Sequence, residues 1–198
     1  MKKRILSMLL TLCMILSLLP TAVFAADTAV STQQELLDAI TNASDGDTIT
    51  LTGDIDIDMS ATAANSGAII VDKSITIDGA GKTLSASNGS GDATLLLITG
   101  GSPTITNLTV DGTGGAKHGI QVYGASAALS NITARKNTGY GVLVNHSAVT
   151  ATELVTSDNG WGGVNVDARG AGSASFTMES GNLGEDASVV IEGQAGDQ

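Results

Sequence analysis

The chain has 198 residues and a formal net charge of −11, with 15% charged and 3% aromatic residues. This acidic balance argues against nucleic acid and anionic lipid as partners, because like charges repel one another. The 25 glycines and the few aromatic residues favour short strands with frequent turns, and the length suffices for one domain with a substantial core.

The first 25 residues have the pattern of a secretory signal peptide. A basic start at residues 2–4 precedes an apolar run at residues 5–19 and a small-residue cleavage site that ends at Ala25. A retained membrane anchor is the alternative, but the run is shorter than the roughly 20 residues that span a bilayer. Cleavage after Ala25 removes the only cysteine, Cys13, and leaves six basic and 20 acidic residues, a formal charge of −14. The mature chain is therefore expected to have no disulfide and no thiolate metal site.

A cap segment is predicted over residues 26–46. Thr32-Gln33-Gln34-Glu35 has the spacing of a capping box, in which a hydroxyl and a carboxylate bind free amides at a helix start. Leu36 and Ile40 then supply an apolar face at helical spacing. We expect a short helix that covers one end of a stack of strands, with a free surface helix as the alternative.

Alternating residues after the cap predict a strand with one acidic face. Ile55 and Ile57 are expected inward, and Asp54, Asp56 and Asp58 outward. Three carboxylates on one face are candidate calcium ligands, although the segment lacks the glycine and the glutamate of an EF-hand loop. A solvated acidic surface is the favoured interpretation, so no metal or other cofactor is assigned.

The next strand, Ile75-Thr76-Ile77, ends in a turn at Asp78-Gly79. A similar phrase, Leu108-Thr109-Val110-Asp111-Gly112, begins 33 residues after Ile75. This long interval predicts one extra loop, and the stretch from Gly81 to Asp92, rich in small and polar residues, is its expected place.

From Thr94 onward, apolar residues recur at intervals of 22 to 24 residues. Such a period indicates a solenoid, in which each repeat buries its apolar face against its neighbours. Asn137 and Asn159, also 22 apart, are expected at corners with left-handed backbone, stacked along the solenoid axis. The recurring columns are Leu96, Ile120, Val142 and Val164; Ile98, Val122, Val144 and Val166; Ile105 and Leu129; and Leu108, Ile132, Leu154 and Phe176.

With the capping box, Gly46-Asp47-Thr48-Ile49 and the strand ending at Gly79, these turns resemble the right-handed parallel β-helix proteins of the pectate-lyase-like superfamily. The resemblance implies an all-β fold, a right-handed parallel β-helix solenoid over residues 47–192 with a short N-terminal capping helix. The length leaves room for about six to seven coils of this period. A left-handed hexapeptide solenoid is disfavoured, because 22 and 24 are not multiples of six.

Residues 193–198 are interpreted as a polar tail or a truncation point. No amphipathic helix follows the last predicted strand, which ends near Ile191. An uncovered coil presents unpaired amides and carbonyls. We therefore expect either a longer surface protein or end-to-end self-association through the last coil.

The resemblance also implies candidate catalytic chemistry. Lyases of this superfamily use acidic residues to hold calcium on a uronate and an arginine or lysine to take the proton, which points to Arg135, Lys136 and Asp158. An ion pair between Lys136 and Asp158 on adjacent coils is the alternative interpretation. The hydrolases carry Gly-His-Gly and Arg-x-Lys motifs, which Lys117-His118-Gly119 and Ala134-Arg135-Lys136 do not match. No catalytic residue is therefore assigned.

A row of aromatic side chains is the stronger functional signal. His118 and Tyr140 are 22 residues apart, and Trp161 falls one position before the next member of that column. Tyr123 is expected on the neighbouring turn. Exposed aromatic faces pack against sugar rings or partner proteins, so these four are the predicted ligand-binding residues. The alternative is that they cover the flank of the solenoid.

These patterns predict an exported bacterial β-helix module, secreted or at the cell surface, with an adhesin-like function. Its lateral face is expected to bind a glycan or a surface protein, with no nucleic acid partner and no membrane after signal removal. A carbohydrate-active enzyme, either a polysaccharide lyase or a glycoside hydrolase, or a fragment of one is the first alternative. A passive structural spacer is the second.

Overall fold

The computed structural model describes residues 25–169, 172–184 and 189–193. The predicted signal peptide and polar tail lie almost entirely outside these residues. The described part contains one helix, α1 (Gln33–Asn42), and fifteen strands. The strands are β1 (Asp27–Val30), β2 (Thr48–Leu51), β3 (Ile55–Asp58), β4 (Gly67–Val71), β5 (Thr76–Ser87), β6 (Thr94–Ile98), β7 (Thr104–Asp111), β8 (Ile120–Tyr123), β9 (Ser126–Arg135), β10 (Tyr140–Asn145), β11 (Ala148–Ser157), β12 (Gly162–Asp167), β13 (Ser175–Met178), β14 (Gly181–Asn182) and β15 (Val189–Glu192).

The strands form two parallel sheets that wind around one apolar core. The nine-stranded sheet has the order β1-β2-β5-β7-β9-β11-β13, with β3 paired to β5 and β14 paired to β11. The six-stranded sheet has the order β15-β12-β10-β8-β6-β4. From β3 to β13 the chain alternates between the sheets, and the whole is a parallel β-solenoid of about seven turns. The predicted all-β solenoid with one short helix is thus confirmed.

The predicted period sets the pairing of the central coils. Val142 in β10 pairs with Ile120 in β8 and with Val164 in β12. The last coil is longer, because Phe176 pairs with Val149, 27 residues earlier, whereas Leu154 pairs with Gly181. The prediction that Phe176 continues the Leu154 column is therefore wrong, since extra residues between β12 and β13 shift the register.

The predicted loop from Gly81 to Asp92 is also largely wrong. Strand β5 continues to Ser87, and a bulge between Asp78 and Lys82 absorbs the irregularity. Gly79 is required there, because a Cβ atom would lie 2.4 Å from the carbonyl oxygen of Asn107. The bulge changes the register, so Lys82 rather than Ile75 pairs with Leu108.

Columns of left-handed backbone mark three corners of the solenoid. A left-handed conformation costs most residues about 1–2 kcal/mol, and glycine and asparagine adopt it most readily. Asn137 and Asn159 do stack, but the left-handed residues are the ones that precede them. The three columns are Asn107, Asn131 and Glu153; Lys136 and Asp158; and Gly101, Gly124 and His146.

The buried asparagines instead bind backbone and each other. Asn137 is 2% exposed, and its Nδ2 donates to Asn159 Oδ1 at 2.8 Å and to the carbonyl of Arg135 at 3.1 Å. Nδ2 of Asn159 donates to the carbonyl of Ala134 at 3.0 Å. These bonds tie the buried corner to the backbone at the end of β9 and to the next coil.

Helix α1 lies at the N-terminal end of the solenoid. Thr32 Oγ1 accepts from the Glu35 amide at 3.2 Å, and Glu35 Oε2 accepts from the Ser31 amide at 2.7 Å. The predicted capping geometry is confirmed, with the carboxylate one residue further back than in a standard capping box. Leu36 and Ile40 are buried against the core.

At the other end, the last described strand is open to solvent. Val189 and Ile191 in β15 are 47% and 78% exposed. End-to-end self-association through this coil stays a prediction.

Candidate functional site

A lateral groove of about 300 Å³ lies on the outer face of the six-stranded sheet. Outward positions of β8, β10, β12 and β15 form its floor, and the turns before β8, β10 and β12 form one rim. Its main lining residues are Lys117, Gln121, Tyr140, Leu143, Asn145, Trp161, Asn165, Asp167, Arg169 and Glu192.

A chain of side-chain hydrogen bonds crosses the floor from coil to coil. Thr94 Oγ1 donates to Gln121 Oε1 at 2.9 Å, and Gln121 Nε2 donates to Asn145 Oδ1 at 2.9 Å. Asn145 Nδ2 then donates to Asp167 Oδ2 at 3.3 Å. Because each bond joins adjacent coils, the floor is a rigid polar surface.

The network ends in a cluster of two carboxylates, one guanidinium and one buried amide. Arg169 Nη2 lies 2.8 Å from Asp167 Oδ2 and 3.1 Å from Glu192 Oε2. Hydrogen bonds from Arg169 and its positive charge hold the pKa of Asp167 below its usual value. Asn165 is 1% exposed and its Nδ2 donates to Glu192 Oε2 at 3.3 Å. Its Oδ1 has no hydrogen-bond partner among the described residues, so this amide oxygen is an acceptor in need of a donor.

The rim at the turns before β8, β10 and β12 carries an aromatic corner, formed by His118, Tyr140 and Trp161. The rings of His118 and Tyr140 stack at 5.7 Å with an interplanar angle of 8°. The Trp161 ring stands at 77° to Tyr140 with centroids 5.5 Å apart, and it is 56% exposed. Lys117 Nζ lies 5.6 Å from the Trp161 centroid, within cation–π range.

His118 supports this corner from behind. It is 5% exposed, and its Nδ1 accepts from the Tyr140 amide at 3.0 Å. Burial, with a smaller contribution from the charge of Lys117, lowers the pKa of His118 to about 4. The imidazole is therefore neutral at neutral pH, and it positions Tyr140 while Trp161 faces solvent.

Tyr123, the fourth predicted ligand-binding residue, lies apart from the aromatic corner. It is 55% exposed at the end of β8, and its ring is 6.2 Å from that of His146. The structure thus brings three of the four predicted residues together.

The weak catalytic candidates do not form a cluster. Arg135 Nε binds Asp111 Oδ2 at 2.8 Å. Lys136 and Asp158 are exposed residues at a left-handed corner. Among the ion pairs of the described residues, none joins Lys136 to Asp158, which is the alternative interpretation of these two residues; Arg135 pairs with Asp111.

The three aspartates of the acidic face each bind a different group. Asp54 accepts from the Thr83 amide, Asp56 from the Ser85 hydroxyl and Asp58 from the Ser60 amide. Within the described ranges, no group of three or more His, Cys, Asp or Glu side chains is arranged to hold a metal ion.

The sequence reasoning missed the polar floor. Asn145 pairs with Asp167, and Leu143 with both Gln121 and Asn165, at the same 22-residue period as the apolar columns. The sequence pattern that could have revealed the floor is the recurrence of polar residues at the outward positions of each repeat, which alternate with the inward apolar residues that predicted the fold.

The fold and the groove together define a pectate-lyase-like parallel β-solenoid with a polar lateral site. The sequence model of the family described as "Putative pectate lyase-like adhesive domain" matches residues 27–182. The chain therefore belongs to this family. No curated protein and no solved structure matches it. In the described part, α1 is too short and too polar to cross a membrane.

Proposed function

We propose that this protein is an adhesin-like extracellular module that binds a glycan in the lateral groove. The observation that carries this proposal is the exposed Trp161 ring, set almost perpendicular to Tyr140 at the edge of a hydrogen-bonded polar floor. The family, described as adhesive, supports the general class of function.

The aromatic corner suits the apolar face of a sugar ring. Trp161 is the only tryptophan of the chain. Because more than half of its surface is exposed to water, the folded protein lacks the hydrophobic stabilisation that burial of this ring would give. Such a residue gains free energy when a ligand covers it. Tyr140, fixed by the stacked His118, supplies a second aromatic surface at a defined angle.

The floor suits the hydroxyl groups of the same ligand. Asn145 and Asp167 offer amide and carboxylate oxygens that accept from hydroxyls, and Arg169 offers N–H donors. The acidic groove residues Asp92, Asp167 and Glu192 outnumber the basic residues Lys117 and Arg169. A neutral glycan therefore fits the groove better than a polyanionic one.

An extracellular location is part of the proposal. It rests on the basic, apolar and small-residue pattern of residues 1–25 and on the acidic charge that remains after cleavage. Glycans of cell surfaces and extracellular matrices would then be accessible to the groove.

The test is binding of residues 26–198 to an array of plant, mucin and bacterial glycans, with ultraviolet detection of unsaturated products on the same samples. We expect binding to a glycan without product, at least tenfold weaker for Trp161→Ala. Val155→Ala, which changes an exposed side chain of β11 on the other sheet, is the matched control. Unchanged glycan binding by Trp161→Ala, or no binding to any glycan of the array, would contradict the proposal. Formation of an unsaturated product would indicate a lyase.

A further inference from the structure

The backbone of Ala26 is held at both ends by the turn that leads into β2. Its amide nitrogen donates to Asp47 Oδ1 at 2.7 Å, and its carbonyl oxygen accepts from the Thr48 amide at 2.9 Å. The following residue begins β1 and pairs with Thr48, which makes β1 the first strand of the nine-stranded sheet. These bonds thus join the residue that follows the predicted cleavage site to the solenoid.

We propose that Asp47 is the binding site for the α-ammonium group that signal cleavage creates on Ala26. In the uncleaved chain this nitrogen is a peptide amide. Hydrolysis by a signal peptidase breaks the Ala25–Ala26 bond, and water supplies the oxygen of the new Ala25 carboxylate and a proton for the Ala26 amine. Protonated at neutral pH, that amine becomes the cation of an ion pair with Asp47.

The Asp47 carboxylate is already oriented for this role. Its Oδ2 accepts from the Ser44 amide at 2.8 Å, so the turn before β2 fixes the side chain while Oδ1 faces Ala26. The hydrogen bonds from Ala26 and Ser44, with a contribution from the charge of Lys73, lower the pKa of Asp47. The carboxylate is thus ionised at neutral pH, where the amine is protonated.

The surroundings also favour a cation at this place. Ala26 lies at a groove of about 420 Å³ whose lining includes Glu35 and Asp38 from α1 together with Asp47. The nearby Lys73 is occupied elsewhere, because its Nζ donates to the carbonyls at the end of α1, those of Ile40, Thr41 and Ala43, at 2.7 to 2.9 Å. The Asp47 carboxylate beside the new ammonium group raises the pKa of that amine.

Processing would then complete the cap of the solenoid. Strand β1 is exposed at three of its four residues, with only Val30 buried, so little apolar burial holds its start in place. An ion pair at Ala26 fastens this start to the turn before β2. A cleavage one residue later would remove both backbone bonds of Ala26, so the inference also fixes the cleavage position.

The experiment uses the secreted, processed chain. N-terminal sequencing should give Ala26 as the first residue. Competitive labelling of the α-amine across a pH series, read by mass spectrometry, should give a pKa above the usual value of about 7.7. Asp47→Asn should return the pKa towards that value, whereas Asp38→Asn, the same charge change in the same groove, should have a smaller effect.

Three results would overturn the inference. They are a mature chain that starts elsewhere, an α-amine pKa that is the same in the parent and in Asp47→Asn, and an equal response to Asp38→Asn. Thermal unfolding of each variant confirms that the fold is retained. None of these results depends on the lateral groove, so they are independent of the proposed glycan binding.

Discussion

The two lateral faces of the solenoid share one scaffold but carry different chemistry. In the nine-stranded sheet, the outward column of Thr104, Ala128 and Thr150 holds small side chains. The corresponding positions of the six-stranded sheet hold larger groups that bond from coil to coil, as Gln121 does with Asn145. Side-chain bonds between coils also occur on the nine-stranded sheet, as between Arg135 and Asp111, but the lateral groove lies on the six-stranded sheet.

The inward positions of the two sheets show no such difference. Leu129 and Ala151 in one sheet, and Ile120, Val142 and Val164 in the other, are at most 1% exposed. The fold therefore depends on half of each repeat, and the other half is free to vary between coils. Function on this scaffold is set by outward residues that the folding pattern does not constrain.

The largest expected effect concerns His118, which lies behind the groove. Its folded pKa of about 4 lies below the reference value of 6.5, so the folded protein binds this proton less readily than the unfolded chain. Its contribution to stability is present above pH 6.5 and is lost as the pH falls from 6.5 towards 4. The loss is about 3 kcal/mol by linkage.

Urea unfolding at a series of pH values measures this loss. His118→Gln, which keeps an acceptor for the Tyr140 amide, should flatten the curve in this window. Asp111 and Asp167 also have lowered pKa values, but their contributions to stability are lost at lower pH, as the pH falls below the usual pKa of an aspartate. Equal pH dependence in the parent and the variant would show that His118 is not buried as described.

A smaller effect is expected at the buried corner between the two sheets. Asn137→Ala removes the bonds that its side chain donates to Asn159 Oδ1 and to the Arg135 carbonyl, at a cost of about 2 kcal/mol. Asn131→Gly, which keeps a residue that readily adopts the left-handed backbone of this position, removes one exposed bond to Asn107 and should cost less than 1 kcal/mol. Chemical denaturation compares the two, and equal losses would contradict the distinction between buried and exposed asparagine ladders.

The smallest effect is a gain in stability on the nine-stranded sheet. Glu153 has φ 55° in a column whose other members are Asn107 and Asn131. Glu153→Asn should raise the free energy of unfolding by about 0.5–1 kcal/mol, because asparagine adopts this conformation more readily. Glu153→Gln is the control for charge removal, and an equal gain in both variants would assign the effect to charge instead.

The fold could be predicted because the inward residues are repeated columns whose spacing is set by the coil itself. The prediction failed at Phe176 and at the stretch after Gly81, where a longer turn and a bulge change the register without changing the residue types. Sequence spacing does not record such local insertions.

The site could be predicted only in part. The 22-residue spacing correctly predicted that His118 and Tyr140 lie together, and that Trp161 lies next to them. It did not show that His118 points behind the corner or that Arg169 reaches Asp167 from two residues away. These features depend on side-chain direction and on turn conformation, which cannot be predicted from the spacing of residues in the sequence.

One measurement tests the central claim that the six-stranded face is the binding face. Leu143 lies on the groove floor and Val155 lies on the opposite sheet, 38% exposed, so Leu143→Arg and Val155→Arg place the same bulky cation on each face. Titration of both variants with a glycan bound by the parent protein, after unfolding curves show them folded, should give a large loss of affinity for Leu143→Arg only. Lost affinity in Val155→Arg with unchanged binding by Leu143→Arg would place the site on the other face and contradict the account.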